Sequence, residues 1–440
     1  MADSKGRLPL TYWGLVLTYL AVSINLSVTS VALPQIAVDL QASSNQLAWI
    51  FNITPLVSAG FMLFAGTWGD RFGRKRILVI GLIVFLGSSL LSATATTAPA
   101  LIAYRGLTGL GSALAMPAAL ALTFDLVQEN RRRTAVGMLG ATQAGGALLG
   151  PLIAGAAITA FSWPAAFLTV VPFIALALVG VLAIRIAPVT APTQALKPDN
   201  GGATWMAIFS VGFVYATTMV TSPLGHMFGV VAACLISFIA LGFLIRHERH
   251  AVNPLFQSQV IRQRAFWLAT SVVFSVQLIL GGMMFVLTQY LQLALGYSPM
   301  AAGLLLTPAL LAWLAVSATA GRSSSVLTWR WAVVAGLGVA CIGFALLAFQ
   351  ARDATTALLL IGLLMAGCMG VAPALMTTMA VSVYSDQTRN TGSAINGVAS
   401  RLGFSLGIAV LGGVAHFAYV VNVVGNTGDL PLAERIDVTG

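Results

Sequence analysis

Two arginines sit where a charged side chain is costly. Arg105 lies in the middle of the apolar run "LIAYRGLTGLGSALAMP" (101–117), and Arg401 lies in "ASRLGFSLGIAVLGG" (399–413). A charge in the interior of a bilayer costs at least about 2.5–3.5 kcal/mol, so an ionisable residue there is functional by default. The other apolar runs carry a sparse set of amides and hydroxyls. Asn25 and Thr29 stand four apart, on one helix face, and Asn52, Gln143, Gln277, Gln289 and Asn396 lie in further runs. The chemistry these residue types offer is recognition by hydrogen bonds and charge, as in the lining of a cavity for a small molecule. For Arg105 two roles stand side by side. One is structural, donating its five N–H groups to backbone carbonyls or amides; the other is handling of a substrate or a proton. Arg401 either tethers a helix end or lines the same cavity. Taken singly, each amide serves equally well as a helix–helix contact; as a set they read as a cavity lining.

The acids are elsewhere. The twelve Asp and Glu residues fall in the tails, the connecting segments and the ends of runs, and none lies mid-run. Asp39 and Asp125, at run ends, join Arg105 as candidates for proton handling. A cavity with arginine and no carboxylate favours an anionic, zwitterionic or neutral amphiphile over a cation held by a simple ion pair. Catalysis finds no support. The four histidines lack metal-ligand spacing, and Cys234, Cys341 and Cys368 lie in apolar runs without paired spacing. No Ser/His/Asp or Cys/His arrangement and no phosphate-cradling GxxxxGK[ST] loop is visible. No enzyme activity, cofactor or metal is expected, and ATP-driven transport has no basis here.

The elements that must position these residues are membrane spans. Of 440 residues, 58% are hydrophobic and only 8% are charged, against about 25% charged in a soluble domain. A helix needs about 20 apolar residues to cross a bilayer. Such runs fall at 11–33, 46–67, 77–95, 99–123, 135–160, 163–184, 204–221, 226–245, 266–293, 301–320, 331–349, 355–380 and 392–420. With the N-terminus inside, eighteen of the 22 basic residues face the cytoplasm and only Arg352 and Arg435 face out. That asymmetry orients a multi-pass protein of the plasma (inner) membrane. It also explains the net charge of +10 without nucleic acid, because the basic residues sit in short clusters between runs. Thirteen spans put the C-terminus outside.

Two segments echo one another. "SSNQLAWIFNITPLVSAGFMLFAGTWGDR" (43–71) and "YSPMAAGLLLTPALLAWLAVSATAGR" (297–322) both run from a Ser-containing loop through a Thr-Pro pair to a Gly-Arg loop. Internal repeats of this kind are common in transporters that alternate access between two bundles. The division that follows has a tail at 1–10, a six-helix bundle at 11–186 and a linker at 187–203. A central pair of helices occupies 204–246 and a basic loop 247–265. A second bundle with five visible helices spans 266–421, and a tail spans 422–440.

"AGTWGDRFGRKRIL" (65–78) packs five charges into seven positions. Its Gly66, Gly69, Asp70, Arg71, Gly73, Arg74, Lys75 and Arg76 resemble the loop motif G-x-x-x-D-R-x-G-R-K/R of the major facilitator superfamily. A gating role is expected for it, with Gly73 at a tight turn and Asp70 capping a helix or pairing with arginine. The stretch around Arg105 is similar to that family's fourth-helix signature. "GGALLGPLIAG" (145–155), with Gly146, Gly150, Pro151 and Gly155, is similar to the fifth-helix signature of its antiporters. "RNTGSAINGVASRLGFSLGIAVLGG" (389–413) resembles the thirteenth helix of the fourteen-helix drug:proton antiporter branch, which includes multidrug and antibiotic exporters. The resemblance implies an all-α integral membrane protein with two helical bundles and a central two-helix insertion. It also implies export of small amphiphilic compounds by alternating access, with a proton as coupling ion. The expected partners are the substrate, the proton and the lipid bilayer, with the chain as a monomer.

The chain departs from that pattern in four places. It shows thirteen spans, not fourteen. Asn25 stands where many relatives have a first-helix acid, Thr108 replaces a glutamine, and "GRSSSVLTWR" (321–330) lacks the loop aspartate. Two alternatives therefore stay open. One is an exporter or facilitator of an anionic or neutral metabolite; the other is a membrane sensor or degenerate paralogue that does not transport.

Overall fold

A computed structural model describes residues 11–184, 200–219, 227–251, 263–320, 326–349, 356–370 and 389–426. Every element among them is helical, as lipid requires: a backbone with no water nearby must satisfy its N–H and C=O groups within its own segment. The first half comprises α1 (Tyr12–Asp39), α2 (Ser44–Phe72), α3 (Arg74–Ala93), α4 (Ala98–Leu126), α5 (Glu129–Ala160), α6 (Trp163–Leu168) and α7 (Val171–Leu182). A hairpin follows, α8 (Asn200–Met219) and α9 (Met227–His250). The second half holds α10 (Arg264–Gln289) with a π-helical turn Tyr290–Ala294, α11 (Pro299–Ala320) and α12 (Val326–Phe349). It ends with α13 (Thr356–Gly367), a short 3₁₀ turn at Cys368–Gly370, and α14 (Arg389–Asn426).

Among the described residues, nine helical stretches are long and apolar enough to cross a membrane, and four shorter apolar helices accompany them. The thirteen expected spans each fall on one of these, although several boundaries move. The second span runs on to Phe72 and the third begins at Arg74, so the expected charged loop is a one-residue break at Gly73. Gly73 has φ +97°, a left-handed backbone that glycine adopts without steric cost. The sixth span divides at Thr169–Val170. Pro172, in the first turn of α7, has no N–H to continue the helix. The last span reaches Asn426, so the first residues of the expected tail are helical. Residues 371–380 of the twelfth span lie outside the described residues.

Start signals in the sequence set several boundaries. Ser43 and Gln46 form a reciprocal capping box at the start of α2, which satisfies two donors that a helix N-terminus leaves bare. Thr97 accepts from the Ala100 N–H ahead of α4, and Ser298 accepts from Ala301 ahead of α11. The α2 and α11 echo thus extends to a serine cap and an internal proline, Pro55 and Pro308.

In the first half α1 packs on α5 and α7, and α4 on α2 and α3; in the second, α10 packs on α14, and α13 on α11 and α12. The halves meet along two seams, α5 against α11 and α2 against α14. The hairpin leans on the second seam. α8 contacts both α2 and α14, while α9 packs on α8. An apolar cluster of Leu56, Ala59, Leu63, Ala203, Val398 and Leu402 fills that junction. The outward faces of α7 and α9 carry exposed Leu176, Val179, Phe228 and Phe238, as expected for surfaces covered by lipid.

Candidate functional site

Arg105 is completely buried, about two turns into α4. Its Nη1 donates to Asn25 Oδ1 at 2.6 Å and its Nε to the Ile50 carbonyl at 3.5 Å. The guanidinium also lies 5.6 Å from the centre of the Phe167 ring, a cation–π distance. Thr54 of the Thr-Pro pair donates to the Arg105 carbonyl at 2.9 Å. Four elements, α1, α2, α4 and α6, therefore converge on one side chain. Two donors remain over: Arg105 Nη2 and Asn25 Nδ2 are sealed from solvent and have no hydrogen-bond partner.

Arg401, on α14, reaches across to the first half, where its Nη2 lies 2.9 Å from Met116 Sδ. Tyr19 of α1 donates to the Met116 carbonyl at 3.4 Å. Further contacts join the halves from mid-depth to the end away from the Gly73 break. Ser405 donates to Asn52 Oδ1. Gln292, in the π turn, donates to the Val31 carbonyl at 3.2 Å. Phe51 stacks on Phe285 with ring centres 5.8 Å apart and meets Phe404 edge-on at 5.9 Å. On the other seam, a β-carbon on Gly155 would lie 2.7 Å from Met300 Cα, and one on Gly303 would lie 2.6 Å from the Pro151 carbonyl oxygen. No real side chain tolerates such distances, so the α5–α11 backbones touch because glycine is there. Gly146 and Gly150 do the same against α1 at Ser23 and Ser27.

At the opposite, basic end, Arg74 Nη1 donates to both oxygens of Asp125 at 2.9 and 3.0 Å. Lys75 Nζ donates to the carbonyls of Leu182 and Ile184 at 2.9 and 2.6 Å, where a cation complements the open C-terminus of α7. These bonds tie the start of α3 to the ends of α4 and α7. The Arg74–Asp125 pair is 28% and 40% exposed; exposed pairs contribute about 0.2–1 kcal/mol.

The model of the major facilitator superfamily matches residues 15–408. The chain belongs to that superfamily. It is 32% identical to the methyl viologen resistance protein SmvA of Salmonella typhimurium, over 90% of this chain and 80% of that protein. It is 32% identical to the puromycin resistance protein pur8 of Streptomyces alboniger, over 94% and 84%. It is 28% identical to the multidrug efflux pump LfrA of Mycolicibacterium smegmatis, over 99% and 86%. Solved structures share the fold at low identity. A peptide transporter, POT, has a TM-score of 0.65 at 14% identity, with 97% of this chain and 96% of that one covered. A bacterial homologue of the lysosomal transporter Spinster has 0.61 at 18%, over 97% and 86%. This is an all-α, multi-pass membrane protein of the major facilitator fold.

Within that fold the expected site residues separate. Asn25 meets Arg105. Thr29 spends its hydroxyl on the Asn25 carbonyl one turn back, at 3.0 Å. Asn52 and Arg401 lie on the contact between the halves, while Gln277 donates to Ser400 at 2.9 Å within the second half. Gln289 ends α10, and Asn396 is buried in α14. The Gln143 side chain is exposed, and α5 meets Ser23 there through the Gln143 backbone carbonyl. Asp39 is exposed at the end of α1, and Asp125 belongs with Arg74. Arg76 is exposed in the first turn of α3. The side chains of Asp70 and Arg71, and the surroundings of Gly66, lie outside the described residues. Thr108, in place of the glutamine of the superfamily pattern, donates to Ser88 Oγ at 3.0 Å and ties α4 to α3.

Sequence reasoning did not single out Tyr19, Met116, Gln292, Ser405 or the Phe51–Phe285–Phe404 trio. Gln292 stands three residues after Gln289 and had a readable signal: a second amide at the same run end. The aromatic and thioether groups had none, because in a chain of this composition they resemble any other apolar residue.

Proposed function

We propose that this chain exports drug-like small amphiphiles across a bacterial inner membrane, by alternating exposure of a site between its two halves. Methyl viologen resistance, puromycin resistance and multidrug efflux are the activities that the three relatives are named for, and this reading carries that class of activity over. One observation supports it: buried polar side chains join the same helices, Arg105 on α4 bonding Asn25 on α1, Arg401 on α14 reaching Met116 on α4, and Ser405 on α14 donating to Asn52 on α2. Described contacts at Val31, Phe51 and Gly155 hold the halves together towards one end. Residues 11–186 and 266–421 are the moving bundles, with 204–246 as the insertion. The basic end is cytoplasmic by its charge, so the joined end faces outward and the chain works as a transporter, not an enzyme.

The proton is the coupling ion by analogy with the superfamily, and the sequence offers no mid-span carboxylate for it. The second reading, an anionic or neutral substrate, is favoured by Arg105 itself, a buried cation bonded to an amide and not to an acid. Inverted vesicles separate the two. Dissipation of a pH gradient on adding methyl viologen or ethidium supports proton-coupled export. Flux of an anionic dye without any change in the gradient supports the second reading, and no flux with any compound overturns both.

A further inference from the structure

The Arg105–Asn25 pair leaves over only donors. Arg105 Nη2 and Asn25 Nδ2 are both buried and unpartnered. Each is two covalent bonds from the hydrogen bond that Arg105 Nη1 makes to Asn25 Oδ1, so that bond holds the two orphan nitrogens in one neighbourhood. The guanidinium's other described acceptor, the Ile50 carbonyl, takes Nε at 3.5 Å and not Nη2.

The charge is also unmet. On α1 the single acid is Asp39, fourteen residues from Asn25, about 20 Å along the helix. On α4 it is Asp125, twenty residues from Arg105, and on α2 it is Asp70, twenty from Ile50, each about 30 Å away. α6 carries no ionisable residue. Buried charges are ordinarily paired, and buried donors ordinarily find acceptors. A carboxylate at residue 25 would supply both the negative charge and the second acceptor; the amide supplies neither. One small anion supplies both.

We propose that Arg105 Nη2 and Asn25 Nδ2 bind a monovalent anion, with the Phe167 ring covering the guanidinium on its apolar side. The two nitrogens are sealed in this conformation, so the ion enters as α1, α2 and α4 part during the cycle. The same chemistry has two sources, free chloride or an anionic group on the transported molecule.

The test is a thermal-unfolding titration of the purified full chain in detergent, with no transport substrate and gluconate replacing chloride at constant ionic strength. Chloride raised to about 100 mM should lift the melting temperature by several degrees and saturate, as a ligand of the folded state does. A shift with benzoate and none with chloride assigns the site to an anionic group of the substrate. In Asn25→Asp the carboxylate replaces the ion, so the melting temperature in gluconate should rise and the anion dependence should vanish. Arg105→Gln should abolish the dependence as well. No shift with either anion, or an equal shift in Asn25→Asp, overturns the proposal. Because the readout is binding, it stands or falls separately from export.

Discussion

At the scale of single residues, the bond between Arg105 and Asn25 decides most. It is short, charge-assisted and fully buried, the class of hydrogen bond that contributes about 1.5–3 kcal/mol. Lysine at 105 keeps the charge but lacks the planar fork that meets Asn25, Ile50 and Phe167 together. Arg105→Lys should therefore retain a fraction of flux, lowered roughly tenfold, while Arg105→Ala should abolish it and leave the Asn25 amide unpaired. Dye efflux at matched membrane expression measures both, and full activity in Arg105→Ala would remove the residue from the site. The orientation of Arg105 also depends on its neighbours, since Thr54 fixes the α4 backbone through the Arg105 carbonyl.

At the scale of elements, the α5–α11 seam brings backbone against backbone at Gly155 and Gly303. A β-carbon on Gly155 or Gly303 would meet the facing helix below 3 Å, and such overpacking costs about 1–3 kcal/mol when the helices must move apart. Gly140, on the same α5, has nothing within 4 Å of a built β-carbon. Gly155→Val and Gly303→Val should therefore both cut efflux strongly while insertion persists, and Gly140→Val should be near wild type. If all three behave alike in an efflux assay, the seam has no special part in the cycle. The break at Gly73 belongs to the same scale. One left-handed glycine turns α2 into α3, and Arg74 and Lys75 then reach the ends of α4 and α7. The loop motif thus ties helices together within the first half.

At the scale of the whole molecule, alternating access requires the contacts at the joined end to break once per cycle. Gln292 and Val31 meet there across the halves, 3.2 Å apart. A short thiol cross-linker between Val31→Cys and Gln292→Cys should arrest efflux, and cleaving the linker should restore it. Undiminished efflux by the cross-linked protein would mean that the halves do not part at this end. The hairpin offers a contrast. α8 packs on α2 at ordinary distance, since a β-carbon on Gly60 would sit in van der Waals contact with Ala207, 3.6 Å away, and its apolar cluster also reaches α14 through Val398 and Leu402. It bridges the seam between α2 and α14.

The spans and their order were legible in the residues alone. Apolar length and the Gly73 turn are local signals, and each acts within a few residues of where it is read. Hydropathy and charge asymmetry likewise carried the membrane class and the basic end without reference to any contact. What a span's hydropathy does not carry is its rotation. In a chain apolar on nearly every face, no polar stripe marks the side that turns inward, so the sequence reading takes Gln143 for the cavity and passes over Gln292, whose directions neighbouring helices set. Asn25 and Arg105 are 80 residues apart, and Asn52 and Ser405 are 353 apart. The first forms where α1 packs on α4, and the second goes with ring packing at Phe51, which brings α2 onto α10 and α14. The candidate polar residues are readable in the sequence, whereas which amide faces which cation comes from the tilt and rotation of whole helices, which packing across the seams decides.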